Sequence, residues 1–382
     1  MNEFTQTPRS ARGAYGIAGE YVTSEAIYQK ESASIFSRRW LCVGRLEELD
    51  PQSGCLPISI ENQNLFIIRD ELGTVRAFRN FCRHRGSQLV TEANCSAMGK
   101  RIQCPYHAWT YSRSGDLTSA PNMTDADDFD EKSHGLLEVI CEIFGGFIWI
   151  NFNPEQPVSQ WLQPVAQQFQ DWQISDLRIT NELAYHVEAN WKLIFQNYSE
   201  CYHCPIVHPM LNRLTPYQGS FNELDEGPIL GGPMGLAESS QTMSCDGKFA
   251  GQPIENLNSD QLRSVYYFTI FPTLFLSLHP DYVLIHRIER IDTGNSKVIC
   301  QFLFPPNTSK QPEFTPDQAF EFWDLTNRQD WEVCELAQKG MSDSAYLPGP
   351  YSPLESVVAA FDRNYLLELN PESSGNSTSS AQ

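Results

Sequence analysis

Basic residues are scarce in this chain. Asp and Glu outnumber Lys and Arg by 47 to 27 in 382 residues, a formal net charge of −20, and no basic run breaks that background. Such a chain offers no electrostatic footprint for a polyanionic backbone or an anionic membrane surface, so neither nucleic acid nor membrane is expected as a partner. Long apolar runs are missing too. Val139 to Phe152 is interrupted by Glu142 and Tyr266 to Leu278 by Pro272, well short of the ~20 apolar residues a spanning helix needs. The opening stretch MNEFTQTPRSARGAYG lacks the apolar core of a secretory signal, so a soluble, cytoplasmic protein is expected. No Gly-x-Gly-x-x-Gly follows a strand, which leaves the chain without a nicotinamide or flavin signature of its own. Its 11 cysteines are odd in number and unevenly spread, which argues against a disulfide scaffold and turns attention to metal ligation.

What is present reads as a folded protein of two domains. Hydrophobic residues make up 41% and charged residues 19%, close to globular averages. Ser24 to Leu49 carries a helix with Ser24 as its cap. From Ile58 to about Asn153, short apolar or alternating runs are broken by turn signals such as Ser114-Gly115-Asp116, the pattern of a small all-β domain. Beyond it, helical segments (Val158 to Trp172, Asn190 to Cys204, Pro316 to Gly340) flank strand-like runs at Tyr282 to Ile291 and Val298 to Phe304, suggesting α+β with an antiparallel sheet. The expected divisions are an N-terminal helical segment at 1–39, a β domain at 40–155, an α+β domain at 156–370 and a disordered tail at 371–382, which has almost nothing apolar to bury.

Two constellations carry chemistry. The first is Cys82-Arg83-His84, followed after 19 residues by Cys104-Pro105-Tyr106-His107. Each half follows a predicted strand, so two loops face one another, each with one thiolate and one imidazole. A Rieske [2Fe–2S] centre needs two thiolates on one iron and two histidines on the other, and the neutral imidazoles raise its potential. A tetrahedral zinc site takes the same donors, and a zinc-stabilised binding protein without turnover stays open at this point. Aromatic cover from Tyr106, Trp109 and Tyr111 favours the cluster. Cys42, Cys55, Cys95 and Cys141 have no histidine at ligand spacing and read as core.

The second constellation begins in the helix capped by Asn190. Pro205 forces its exit, placing His203 in the last turn and His208 in the loop beyond. Two such histidines lack one carboxylate of a two-His-one-carboxylate triad, the arrangement that leaves ferrous iron open to O2. On the helix begun by Thr315 and Pro316 and ended by Gly340, Asp324, Glu332 and Glu335 have charged helical neighbours, whereas Asp330 faces Thr326, Asn327, Val333 and Cys334. A carboxylate on that face needs a partner, and a metal is one. Cys201 and Cys204 read as packing around the site. His134, His186, His279 and His286 read as satisfied structural histidines.

With both signatures in this order, from about Tyr21 to Leu369, the chain resembles the α subunits of Rieske non-haem iron oxygenases, the aromatic-ring-hydroxylating dioxygenases. That resemblance implies an N-terminal Rieske domain (cofactor ligands Cys82, His84, Cys104, His107) and a helix-grip catalytic domain on which the N-terminal helix packs (metal ligands His203, His208, Asp330). It also implies a head-to-tail homotrimer in which Glu200 links His107 of one chain to His203 of its neighbour, with Asn197 beside the iron. Most members have Asp where Glu200 stands; Glu here, with the runs Ser277 to Ile288 and Phe322 to Gly340, is similar to the carnitine and glycine-betaine oxygenases. The implied reaction is O2-dependent hydroxylation of an N-methyl group, followed by loss of formaldehyde. Electrons come from NAD(P)H through a separate flavin or ferredoxin-type reductase. Tyr266, Tyr267, Phe268, Phe271, Phe275, Tyr282 and Trp323 are available to face a quaternary ammonium. The alternative substrate is an aromatic ring.

Overall fold

The computed structural model describes residues 13–124 and 126–370; the tail expected at 371–382 lies outside them. The chain gathers into two compact units, Ser37–Trp161 and a second made from the described residues on either side of it.

In the first unit the strands form a six-stranded antiparallel sheet in the order Leu41–Arg45, Phe147–Asn151, Glu138–Phe144, Val75–Arg79, Gln63–Arg69, Cys55–Ile60. A smaller sheet joins Arg101–Gln103, Thr110–Ser112 and Leu117–Ser119. The run Phe147 to Ile150 is buried throughout, as a strand covered on both faces must be. Gly115 turns the chain at φ +94°, where a Cβ would stand 2.5 Å from the Phe78 ring; the turn therefore requires glycine twice over. Phe66, Phe78, Trp109 and Tyr111 form a core that also encloses Cys55, Cys95, Cys82 and Cys104.

The second unit is built on another six-stranded antiparallel sheet, in the order Arg178–Val187, Ser296–Phe304, Val283–Arg290, Leu274–Leu278, Ser264–Ile270, Ile229–Gly235. The helix Asp317–Met341 buries Phe322, Trp323, Thr326, Asn327, Trp331 and Cys334. Polar contacts tie that face to the sheet: Trp323 Nε1 donates to Tyr282 Oη at 2.7 Å and Asn327 Oδ1 meets His286 Nε2 at 3.1 Å. Ser24 caps Glu25–Glu31 by accepting from Ile27 N–H. Glu31, fully buried, accepts from Lys192 Nζ (2.6 Å), Tyr365 Oη (2.7 Å), Arg290 Nη1 (2.9 Å) and Trp191 Nε1 (3.1 Å). Two cations and two neutral donors satisfy both carboxylate oxygens, which is what makes a charge tolerable in that interior.

Two helices depart from expectation. Val158 to Trp172 divides into Val158–Trp161, a 3-10 turn at Gln163–Val165 and Ala166–Asp171; Pro164 supplies no N–H to continue a single helix. The helix capped by Asn190 ends at Tyr198, not Cys204. Ser199 Oγ bonds back to Phe195 O, and the Glu200 carboxylate accepts the Tyr202 and His203 N–H groups, so the backbone turns before His203. Among the described residues no helix is long and apolar enough to cross a membrane.

Candidate metal centres and substrate cavity

In the first unit the hairpin Gln63–Arg69/Val75–Arg79 leads into Cys82, and Arg101–Gln103 leads into Cys104. Both thiols are buried, 2% and 3% exposed, whereas His84 and His107 lie at the surface with ring centroids 4.8 Å apart. Trp109 stacks on His84 at 4.9 Å. Burial raises the Cys82 thiol above its ordinary value and the nearby Cys104 adds to this, while Tyr111, whose hydroxyl lies 3.2 Å from Cys82 Sγ, opposes it. A buried Cys82 thiol that resists ionisation by itself suits a site where a metal stabilises the thiolate. Burial, His107 and Arg85 lower the His84 imidazole, keeping it neutral as a ligand must be. Sulfur inside and nitrogen outside fit a Rieske cluster.

In the second unit the early end of the Asn190-capped helix places His203 before the short helix Cys204–Val207, rather than in a last turn, and His208 between that helix and Pro209–Leu214. The long helix brings in Asp330. Its Oδ1 lies 2.7 Å from His208 Nε2 and 3.4 Å from His203 Nε2, and the three donors fall within 4.8 Å of one another. Each imidazole is held by its other nitrogen: His203 Nδ1 by Glu200 Oε1 at 2.5 Å, His208 Nδ1 by Gln329 Oε1 at 2.8 Å. Nδ1–H donation to an oxygen leaves both Nε2 lone pairs directed at one point, the arrangement that orients ligating histidines in metal sites. Sequence reasoning missed Gln329, which shows no signal beyond its place before Asp330.

The electrostatics favour a cation. Burial works to lower the His203 pKa, but Asp330 and Glu200 outweigh it and raise it to about 10. Burial works to raise Asp330, but the two histidines hold it at about 2. Positive charge is thus stabilised where the donors converge, and a divalent ion meets the same field. The donor set of two imidazoles and a carboxylate fits ferrous iron.

A cavity opens on this triad. Asn197 and Glu200 line it with His203, His208 and Asp330, and its aromatic faces are Tyr198, Tyr267, Trp323 and Phe221. Of the seven aromatic residues nominated from the sequence only Tyr267 and Trp323 reach the wall. Tyr282 stands behind Trp323, and Phe275 stacks on Tyr198 at 4.1 Å. Beside Tyr267 the lining is thin: Gly231 and Gly232, on the neighbouring strand, pair with Phe268 and Tyr267, and a Cβ on Gly231 would stand 1.9 Å from the Tyr267 carbonyl. Three further expectations change. Cys201 and Cys204 are joined as a disulfide, Cα atoms 4.9 Å apart, and so are not independent packing thiols. His279 has no partner for either ring nitrogen and His286 none for Nδ1, so neither is fully satisfied; burial pushes both imidazoles below their ordinary value, His286 to about 4.

A buried-sulfur, surface-imidazole loop pair in one unit and a His-His-carboxylate cavity in the other define a two-centre iron oxygenase. A family model for the Rieske [2Fe-2S] domain matches residues 39–130, and one for the catalytic domain of ring-hydroxylating α subunits matches 174–368. The chain belongs to that family: it is a Rieske non-haem iron oxygenase, its cofactors are a [2Fe–2S] cluster and mononuclear iron, and its electrons come from a reductase. It is 26% identical over 384 residues to a glycine betaine monooxygenase oxygenase subunit of Chromohalobacter salexigens, covering 90% of this chain and 83% of that protein. A carnitine monooxygenase oxygenase subunit of Acinetobacter baumannii is 33% identical over 195 residues, 50% of this chain and 51% of that one. Among solved structures, the quaternary ammonium Rieske monooxygenase CntA with L-carnitine superposes with a TM-score of 0.76 at 22% identity, covering 93% of this chain and 96% of that one. Naphthalene 1,2-dioxygenase from Rhodococcus does so at 0.74 and 18%, over 94% and 95%. At those identities the likeness is one of fold.

Proposed function

We propose that this oxygenase hydroxylates an N-methyl group of a quaternary ammonium compound, and that the unstable product loses formaldehyde to complete an N-demethylation. The carrying observation is the cavity itself: electron-rich faces of Tyr198, Tyr267 and Trp323 share a wall with the His203–His208–Asp330 triad. Aromatic faces attract an onium ion through the ring quadrupole without forming a bond that must later be broken. The named relatives that act on glycine betaine and carnitine support the same reading.

His203, His208 and Asp330 would hold the iron, which activates O2 when reduced; Cys82, Cys104, His84 and His107 would hold the cluster, which delivers electrons singly. The chain's own groups do the rest. Glu200 and Gln329 fix the imidazoles, Asn197 stands at the cavity wall beside them, and the aromatic faces orient the methyl group and exclude water. Between subunits, the reading assigns Glu200 a second contact, to His107 of a neighbouring copy in a head-to-tail trimer. Exposed apolar side chains sit at both ends of that contact: Tyr106 (56%) beside His107, and Tyr202 (55%) and Ile206 (87%) beside His203. The cytoplasm, where NAD(P)H feeds the reductase, is the proposed location.

The test supplies the holoenzyme with a reductase and measures substrate-dependent O2 uptake and formaldehyde release. A panel of N-methyl onium compounds should give both in equal amounts. Uptake and oxygenated product with an aromatic hydrocarbon alone would replace this reading with ring hydroxylation.

A further inference from the structure

Of the 11 cysteines, nine are unbridged and two are joined, Cys201 to Cys204. A bridge that closes so short a loop removes little freedom from the unfolded chain, so it contributes little to global stability. Its effect is local, and its place is informative. The loop it closes holds Tyr202 and His203, and both cysteines line the cavity with the triad. On one side stands the turn that presents His203, where the Glu200 carboxylate accepts the Tyr202 and His203 N–H groups. On the other, Cys204 opens the helix Cys204–Val207, whose end presents His208.

The hydrogen bonds along this backbone are all local. Cys204 N–H donates to Cys201 O at 3.2 Å, and within the helix the Val207 and His208 N–H groups reach His203 O (3.0 Å) and Cys204 O (2.9 Å). A helix of one turn is far below the length at which helices stand alone. The disulfide is the covalent link between the two histidine-bearing turns and sets their spacing. With it closed, the donors of His203, His208 and Asp330 fall within 4.8 Å of one another. At the proposed cytoplasmic location thiols are kept reduced, and bridges that form there are transient and redox-sensing rather than permanent.

Resting on the triad as the iron site, we infer that Cys201–Cys204 is a redox-responsive clasp on that site: closed, it holds His203 and His208 in place for ferrous iron, and opened by a thiol reductant it weakens their hold. Opening starts at Cys201, the less buried of the pair. A thiolate of a dithiol attacks its sulfur, the S–S bond breaks, and Cys204 leaves as a thiolate that takes up a proton. The second thiol of the reductant then displaces Cys201 and closes its own disulfide, so two electrons and two protons have passed to the cysteines. Hydrogen peroxide reverses the change. One thiol is oxidised to a sulfenic acid with release of one water, and the other displaces its hydroxyl, which leaves as a second water.

Anaerobic equilibrium dialysis against ferrous ion tests this without turnover. The full enzyme, its cluster in place and its mononuclear site stripped, is divided: one portion is treated with dithiothreitol and desalted, the other left oxidised. Alkylation and peptide mass spectrometry score the thiols at 201 and 204. The reduced portion should bind ferrous ion about tenfold more weakly with the cluster's visible spectrum intact, and one equivalent of hydrogen peroxide, added before iron, should restore the affinity. Cys201→Ser combined with Cys204→Ser should show the weak affinity under both treatments. Equal affinity in the oxidised and reduced portions would overturn the clasp, as would a bridge that dithiothreitol fails to open; in either case the triad stands. A protein that takes up no mononuclear iron in either state would overturn the triad, and the clasp with it. If the double variant fails to fold, the wild-type comparison still decides.

Discussion

The two metal sites stand in opposite surroundings. In the Rieske unit, four donors come from two loops within 26 residues, and the two imidazoles are exposed. In the catalytic unit, the donors come from segments 122 residues apart, and His208 is only 2% exposed. The contrast follows from what each site exchanges. An electron passes between proteins only where a ligand approaches the surface, so the cluster must sit shallow. Oxygen chemistry needs a place from which water is kept out, and the three proposed iron donors accordingly lie partly to fully buried in a cavity whose walls include aromatic side chains.

The contrast predicts that the sites fail independently. Asp330→Ala should remove the mononuclear iron and lower turnover by more than about 100-fold, leaving two irons and the cluster's visible spectrum; loss of that spectrum would mean the ligand assignment is wrong. Cys104→Ala should do the reverse, bleaching the chromophore while one iron remains by metal analysis. Glu200→Gln addresses the link between sites. Both metals should stay and single-turnover electron transfer should slow by about 10- to 100-fold, whereas an unchanged rate would remove Glu200 from the path. Gln329→Leu releases His208 Nδ1, and the affinity for ferrous iron should weaken by about tenfold, read by equilibrium dialysis; unchanged affinity would show that the amide does not orient the ligand. The smallest effect belongs to the shallow site. A hydrogen bond to a cluster sulfur stabilises the more negative, reduced state, so Tyr111→Phe should lower the potential by about 40–60 mV, the one-electron equivalent of roughly 1 to 1.4 kcal/mol. A rise in potential would reverse that account.

The same contrast explains what could be read in advance. The proposed cluster donors follow neighbouring strands, so their spacing alone nominated them. Asp330 was legible one step less directly, through its neighbours on a helical face. His203 and His208 were nominated and the structure brings them together with Asp330, but the backbone around them was not foreseen, because the helix stops on side-chain bonds from Ser199 and Glu200 that no periodicity records. Tyr198 was missed as a cavity residue, and Phe268, Phe271 and Phe275 were nominated in its place. A strand's alternation shows that two faces exist without showing which one meets a cavity. That is settled by cross-strand register, which pairs Tyr267 with Ser277 and brings Ser277 against the Tyr198 hydroxyl.

The Glu31 cluster has a consequence for how the protein is made. Its partners follow Glu31 by 160, 161, 259 and 334 residues, and the whole Rieske unit is synthesised in between. At about 5–20 residues per second, Tyr365 emerges roughly 17 to 67 s after Glu31. The Rieske unit, one continuous stretch, has all its strands in hand long before that. The catalytic unit, whose Glu31 waits for Tyr365, is completed later, so the order of synthesis builds the electron carrier before the site it serves.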